Sequence, residues 1–218
     1  DRVAKHAAAI ETLVERGFEV GVVVGGGTVA REYIEAAREL GANEIELDDL
    51  GIAATRINAR LLISALDVDA VATPATTYEE GGEAIRHGDV AVMGGVVAGQ
   101  TTDAVSAALA EYVDADLLVY ATSVPGVFSA DPNEEEGATR FDSMTGSELV
   151  DVIAGIEMSA GSSAPVDILA AKLIERSQVR TMVLDGTEPD RIIDAIISGE
   201  HDGTDIVPEG TDVRLPWN

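Results

Sequence analysis

The sequence predicts an α/β fold, a mostly parallel central sheet between two helical layers, which is a three-layer α/β/α sandwich. Three observations lead there. Short apolar runs recur: Val20, Val22, Val23 and Val24; Val90-Ala91-Val92-Met93; and Leu117-Leu118-Val119-Tyr120-Ala121. Such continuous runs suit strands buried on both faces of a parallel sheet. Between them lie stretches whose apolar residues fall at three- and four-residue spacing, as in helices that cover a sheet. Each strong run also breaks into a loop of small residues, Gly25-Gly26-Gly27, 94–102 and 122–126.

Residues 3–15 predict a first helix, with Val3, Ala7, Ile10 and Val14 on one face and Gly17 ending it. After the first strand and its glycines, Val29, Tyr33, Ala36, Ala37 and Leu40 predict the inward stripe of a second helix. The polar stretch 43–49 leads into a helix over 50–66, with Ile52, Thr55, Ala59, Leu62 and Ile63 inward and Arg56 and Arg60 one turn apart. Residues 68–72 predict a short strand closed by Thr73-Pro74, and 78–86 a glutamate-rich helix ended by His87-Gly88. The alanine-rich stretch 104–113 predicts a helix for which Thr102 or Asp103 is the natural N-cap. Beyond the third strand, 131–140 reads as a solvated acidic loop and 159–165 as a loop of small residues. Helices are expected at 149–156, 167–176 and 189–197, the last with Pro189 in its first turn, and strands at 180–184 and 204–207. The tail 211–218 holds the only tryptophan, has no periodicity and is expected to be mobile. No linker or shift of composition marks a boundary, so residues 1–210 are expected to form a single domain.

Composition narrows the function. At 46% hydrophobic and 4% aromatic residues, the core is built from Ala, Val, Ile and Leu. Forty acidic residues against 14 basic ones give a formal net charge of −26, with Lys5 and Lys172 the only lysines. Such self-repulsion destabilises a compact state unless salt screens it, which points to a protein adapted to a high-salt cytoplasm. A nucleic-acid partner is disfavoured, because a phosphate backbone needs a basic footprint. With no cysteine, disulfides and thiolate metal sites are excluded. No run approaches the roughly 20 apolar residues that span a bilayer, and no basic, apolar leader opens the sequence, so no membrane partner and a cytoplasmic location are expected.

The chemistry concentrates in the glycine loops. A strand that feeds a helix through Gly25-Gly26-Gly27 leaves bare amides at a helix N-terminus, where the dipole favours an anion. A tight βα turn asks for the same glycines for its backbone angles alone, and on these residues both readings stand. Three such loops at strand ends tip the balance toward a phosphate ligand in the crevice at the carboxyl edge of the sheet. The usual nucleotide motifs are missing: there is no Gly-x-x-x-x-Gly-Lys-Ser/Thr and no Gly-x-Gly-x-x-Gly. His6, His87 and His201 lack metal-ligand spacing, Ser162-Ser163 lacks a triad context, and Met144 and Met158 read as packing, so no protein metal site is expected.

Read in order, Val23-Val24-Gly25-Gly26-Gly27, Gly94-Gly95, Gln100-Thr101-Thr102-Asp103-Ala104 and Thr122-Ser123-Val124-Pro125-Gly126-Val127-Phe128-Ser129-Ala130-Asp131-Pro132 carry a family resemblance. The chain resembles the amino-acid kinase superfamily and, within it, the archaeal uridylate kinases, over residues 1 to about 210. The long Thr-to-Pro block marks the superfamily; Thr101-Thr102-Asp103-Ala104 together with Gly161-Ser162-Ser163 narrows it.

The resemblance implies ATP-dependent phosphorylation of UMP to UDP in pyrimidine synthesis, with Mg²⁺ accompanying ATP. It implies an acceptor half at about 1–113 and an ATP half at about 114–210, a hexameric homo-oligomer, and feedback by UTP. Carried over by position, Gly26, Asp48 and the loop Val96, Val97, Ala98, Gly99, Gln100, Thr101 and Thr102 are expected to bind UMP. Gly27, Arg31, Thr122, Phe128 and Asp131 are expected to bind ATP, and Arg31 and Asp167 to serve the transfer. For Asp48, a plain helix N-cap is the competing role, and for Arg31 an ordinary exposed helix position. Two departures stand out. The family's leading strand, with its Ile-x-Gly-Gly-Ser or Lys-x-Ser-Gly motif, is not in this sequence, which implies an inactive chain as it stands. Pro125 and Phe128 also stand where the family often has Asp and Tyr, which implies a looser adenine contact. Two rivals remain, a kinase of another small acceptor such as an amino-acid carboxylate or phosphate ester, and a binding protein that holds a nucleotide or oxyanion without transfer.

Overall fold

The computed structural model describes residues 2–130, 135, 137–157 and 165–211. They form two compact units, residues 1–109 and 110–218. The α/β class and mostly parallel pairing are borne out, with the strands recorded in two sheets, one in each unit.

In the first unit, helix α1 (Arg2–Glu15) precedes strand β1 (Gly21–Val23), which pairs in parallel with β2 (Ala91–Met93). Between them run α2 (Gly27–Glu39), α3 (Glu44–Ile63) and α4 (Tyr78–His87). Ala7 and Ile10 of α1, Ala59 and Leu62 of α3, and Val90 and Val92 form the core cluster. β2 is fully buried, as its apolar run predicts, whereas β1 is only half-buried, with Gly21 exposed, so its valines do not meet the two-sided burial expected of them. α2 departs further. Of its residues only Ala30 is buried, while Val29 and Tyr33, and Leu40 that caps it, lie exposed, so the stripe read as inward faces out.

α3 starts six residues earlier than the apolar spacing indicates. Asn43 caps it, accepting the Ile45 and Glu46 N–H groups, and Glu46 returns a carboxylate to the Asn43 N–H at 2.8 Å. This reciprocal box, worth about 1 kcal/mol, draws the acidic stretch into the helix. The strand expected over 68–72 is reduced to isolated bridges, Ala70 with Val90 and Ala75 with Met93. Helix α5 (Thr102–Tyr112) is capped by Thr101, whose hydroxyl accepts the Ala104 N–H at 3.1 Å, and not by Thr102 or Asp103.

In the second unit, β3 (Leu118–Thr122), β4 (Ser143–Thr145), β5 (Thr181–Asp185) and β6 (Thr204–Val207) form one sheet in the order β3-β5-β6-β4. β3–β5 and β4–β6 are parallel; β5–β6 is antiparallel. β4 went unpredicted, since Ser143-Met144-Thr145 carries a single apolar residue. Helices α6 (Gly146–Glu157), α7 (Ile168–Ser177) and α8 (Asp190–Ser198) complete the unit, α6 packing against α7. Met182 and Leu184 of β5 bury against Ala195 of α8. The loop 159–164 and the tail 212–218 lie outside the described residues, as does most of the acidic stretch 131–136.

Candidate active site

The chain leaves β1 through Val24, whose N–H donates to Met93 O at 2.9 Å, and enters the glycines with its sheet register still set. Gly26 is the N-cap of α2, and a Cβ there would stand 2.4 Å from the Ala30 Cβ, so only glycine fits. Gly27 follows at φ +61°, the left-handed region that glycine enters without strain. Arg31 is exposed one turn on, its Nε donating to Gly27 O at 3.3 Å.

The second loop leaves β2 at Gly94-Gly95. There α3 approaches so closely that a Cβ on Gly94 would lie 2.6 Å from Thr55 Oγ1 and 2.9 Å from the Arg56 nitrogen. Thr55 accepts the Gly95 N–H at 2.7 Å, and Arg56 donates to Gly95 O at 3.0 Å and Val96 O at 3.3 Å. Asp48 sits inside α3, not at its cap, and its Oδ2 accepts the Gly99 N–H at 2.8 Å. That contact joins it to the loop 96–102. Gln100 Oε1 accepts the Tyr78 hydroxyl at 3.1 Å, and burial pushes the Tyr78 phenol above its usual range, which keeps it a donor. The two loops are neighbours: Thr102 Oγ1 lies 3.7 Å from where a Gly25 Cβ would be. Gly26, Gly27, Arg31, Asp48 and residues 96–102 thus gather at the carboxyl ends of β1 and β2.

Asn58 was not anticipated. Its Nδ2 donates to Gly25 O at 2.9 Å and to Gly26 O at 3.1 Å. The available signal was a polar residue one turn beyond Thr55 on a helix whose stripe is otherwise Ala54, Ala59 and Leu62. Arg56 also neighbours Glu80, whose carboxylate is held below its usual range mainly by the Thr76 N–H, then by the Thr76 hydroxyl, with Arg56 a smaller influence.

The remaining expected residues belong to the second unit. Thr122 ends β3, and its hydroxyl accepts the Val124 N–H at 2.8 Å and donates to Val124 O at 3.1 Å, folding the loop back on itself. Thr204 of β6, also unanticipated, accepts the buried Val127 N–H at 2.9 Å and donates to Phe141 O at 2.6 Å. Phe128 is half-buried and bridges antiparallel to Arg140. Asp167 caps α7, Oδ1 accepting the Leu169 N–H at 2.7 Å and the Ala170 N–H at 3.0 Å. Asp131 lies outside the described residues, as do Gly161, Ser162 and Ser163.

The amino acid kinase family profile matches residues 1–185. The chain belongs to the amino acid kinase family. Within it, the sequence is 70% identical over 217 residues to a uridylate kinase of Halobacterium salinarum, covering 100% of this chain and 90% of that protein. It is 67% identical over 209 residues to a uridylate kinase of Haloarcula marismortui, covering 96% of this chain and 92% of that one. Among solved structures, the uridylate kinase from Archaeoglobus fulgidus superposes with a TM-score of 0.85 at 43% identity, covering 94% of this chain and 92% of that one. The resemblance to archaeal uridylate kinases is borne out, and the high-salt reading of the acidic composition fits these sources. Among the described residues, no helix is long and apolar enough to cross a membrane.

Proposed function

We infer that this member of the amino acid kinase family phosphorylates UMP to UDP with ATP. The observation that carries the reading is 70% identity along the whole chain to a uridylate kinase, which disfavours other small acceptors. The local geometry supports it. Phosphoryl transfer needs positioning and charge neutralisation more than covalent help, and bare amides beside an arginine supply both.

Gly26 faces the UMP phosphate, Asp48 takes the ribose, and the loop 96–102 closes over the nucleotide. Gly27 and Arg31 meet the ATP phosphates, where a planar guanidinium can make forked bonds to oxygen. Thr122, Phe128 and Asp131 hold the adenine nucleoside, and Asp167 serves the transfer. Mg²⁺ arrives bound to the ATP phosphates and adds positive charge there; among the described residues no group of three His, Cys, Asp or Glu side chains could hold a metal by itself. The exposed Val29, Tyr33, Leu40, Ile45, Ile57 and Leu61 of α2, α3 and the turns at their ends support assembly with further copies, hexameric by family resemblance. The site of action is the cytoplasm.

UDP formation by the full-length protein in molar KCl, measured with UMP and with glutamate-type acceptors side by side, tests the function. Turnover confined to UMP is expected. Turnover of the amino acid and not of UMP would overturn it.

A further inference from the structure

The two carbonyls held by Asn58 are consecutive, and that determines which way the loop's amides face. In a trans peptide the C=O and the following N–H point in opposite directions across a rigid plane, and the described chain has no cis bond. With Gly25 O at 2.9 Å and Gly26 O at 3.1 Å from one Nδ2, both peptide planes turn their oxygens toward α3. The Gly26 and Gly27 N–H groups therefore turn away from α3. Neither donates a backbone hydrogen bond among the described residues. Glycine has no side chain to bias a peptide flip; the Gly26 carbonyl also accepts the Ala30 N–H at 3.2 Å, whereas the Gly25 carbonyl is oriented from outside, by Asn58. A flipped plane would present a carbonyl oxygen to an anion and repel it.

We propose that Asn58 is a positioning residue for phosphoryl transfer: its carboxamide locks the Gly25 and Gly26 carbonyls so that the Gly26 and Gly27 amides stay aimed at phosphate. This rests on the UMP kinase reading. Asn58→Ala frees the Gly25 plane and leaves the Gly26 carbonyl with the Ala30 N–H. Asn58→Asp keeps the shape but replaces the donor with a carboxylate that repels both carbonyls.

The test is calorimetric titration of the full-length protein with UMP and with uridine, alongside kcat and KM. For Asn58→Ala, UMP binding is expected to weaken about tenfold, the scale of one or two lost hydrogen bonds, while uridine binding stays within about twofold. Asn58→Asp should lose more, and kcat should fall in both. If the aspartate variant does not fold, the alanine variant carries the test, since alanine suits a helix best. UMP binding indifferent to Asn58 would overturn the positioning role alone, as would equal losses for UMP and uridine, which mean general damage. An unaltered protein that binds no UMP would overturn the kinase reading beneath it.

Discussion

Residues 1–109 hold two glycine loops with the side chains of one helix, whereas residues 110–218 hold the loop after β3 with one threonine of β6 and with backbone bonds to residues 139–141. In the first unit Asp48, Thr55, Arg56 and Asn58, all on α3, take up amides and carbonyls of both loops. In the second, Thr204 bridges Val127 and Phe141, the Phe141 N–H donates to Val127 O at 2.9 Å, and Thr122 closes its own turn. Glycine-rich backbone loses the most freedom on ordering, so a cradle of bare amides needs many anchors from a rigid element. The loop after β3 has a single glycine, Gly126, between Pro125, whose φ is fixed, and the β-branched Val127, and needs fewer. The difference matches the tasks proposed: orienting amides at phosphate in one unit, presenting a ring at Phe128 in the other.

The largest effect should come from disturbing α3 itself. Gly94→Ala would place a methyl group 2.9 Å from the Arg56 backbone nitrogen, which cannot swing aside as a side chain would. We expect a stability loss of about 1–3 kcal/mol from overpacking. UMP turnover should fall by about two orders of magnitude, since every α3 anchor moves together and misplacement by an ångström costs on that scale. Thermal unfolding and initial rates measure both, and a normal rate would remove α3 from the role of template.

Thr204→Val comes next and probes the other unit. It keeps the branched shape but strands the buried Val127 N–H and the Phe141 carbonyl, each costing about 1–3 kcal/mol. The KM for ATP should rise several-fold with the KM for UMP unchanged. Equal rises would erase the contrast between the two loops.

These anchors mark the limit of what was legible. The strands around Val92, Val119 and Val183, the glycine loops and the helices over 78–87 and 168–177 follow from period and punctuation, because the apolar runs and spacings there are local. The start of α3 was misread because its first turn is acidic and apolar spacing begins later; the Asn43–Glu46 box was the better signal. The exposed stripe of α2 was misread because periodicity reports an apolar face but not what covers it. Family resemblance is what singles out Gly26, Asp48 and Thr101 as candidates. Asn58 and Thr204 stayed hidden because each acts on backbone atoms 32 or more residues away, a relation that no local pattern carries.

Salt should separate the units more gently. Residues 1–109 carry 18 acidic and 8 basic side chains, and residues 110–218 carry 22 and 6. Screening therefore matters more in the second. The melting temperature should climb between dilute and molar KCl, and on removing salt, amide exchange should quicken first in residues 110–218. A flat melting temperature would contradict the high-salt reading.

The smallest effect tests a pair of matched caps. Glu80 bonds to the Thr76 N–H at 2.7 Å at the start of α4, and Glu148 bonds to the Thr145 N–H at 2.7 Å at the start of α6. The Glu80 pKa is held down through the Thr76 backbone and hydroxyl bonds and more weakly through Arg56. A carboxyl depressed by folding stabilises fully above its unfolded value, about 4.3, and that contribution fades as pH falls through the lower folded value. The start of α4 should fray below about pH 4.3, read from the exchange of the Thr76 amide, and Glu80→Gln should abolish that pH dependence. Because Arg56 also holds the Gly95 and Val96 carbonyls, Glu80→Gln should shift UMP affinity slightly, by less than about threefold, while Glu148→Gln leaves it unchanged. Equal responses would mean that Glu80 is only a helix cap and that Arg56 holds the loop without it.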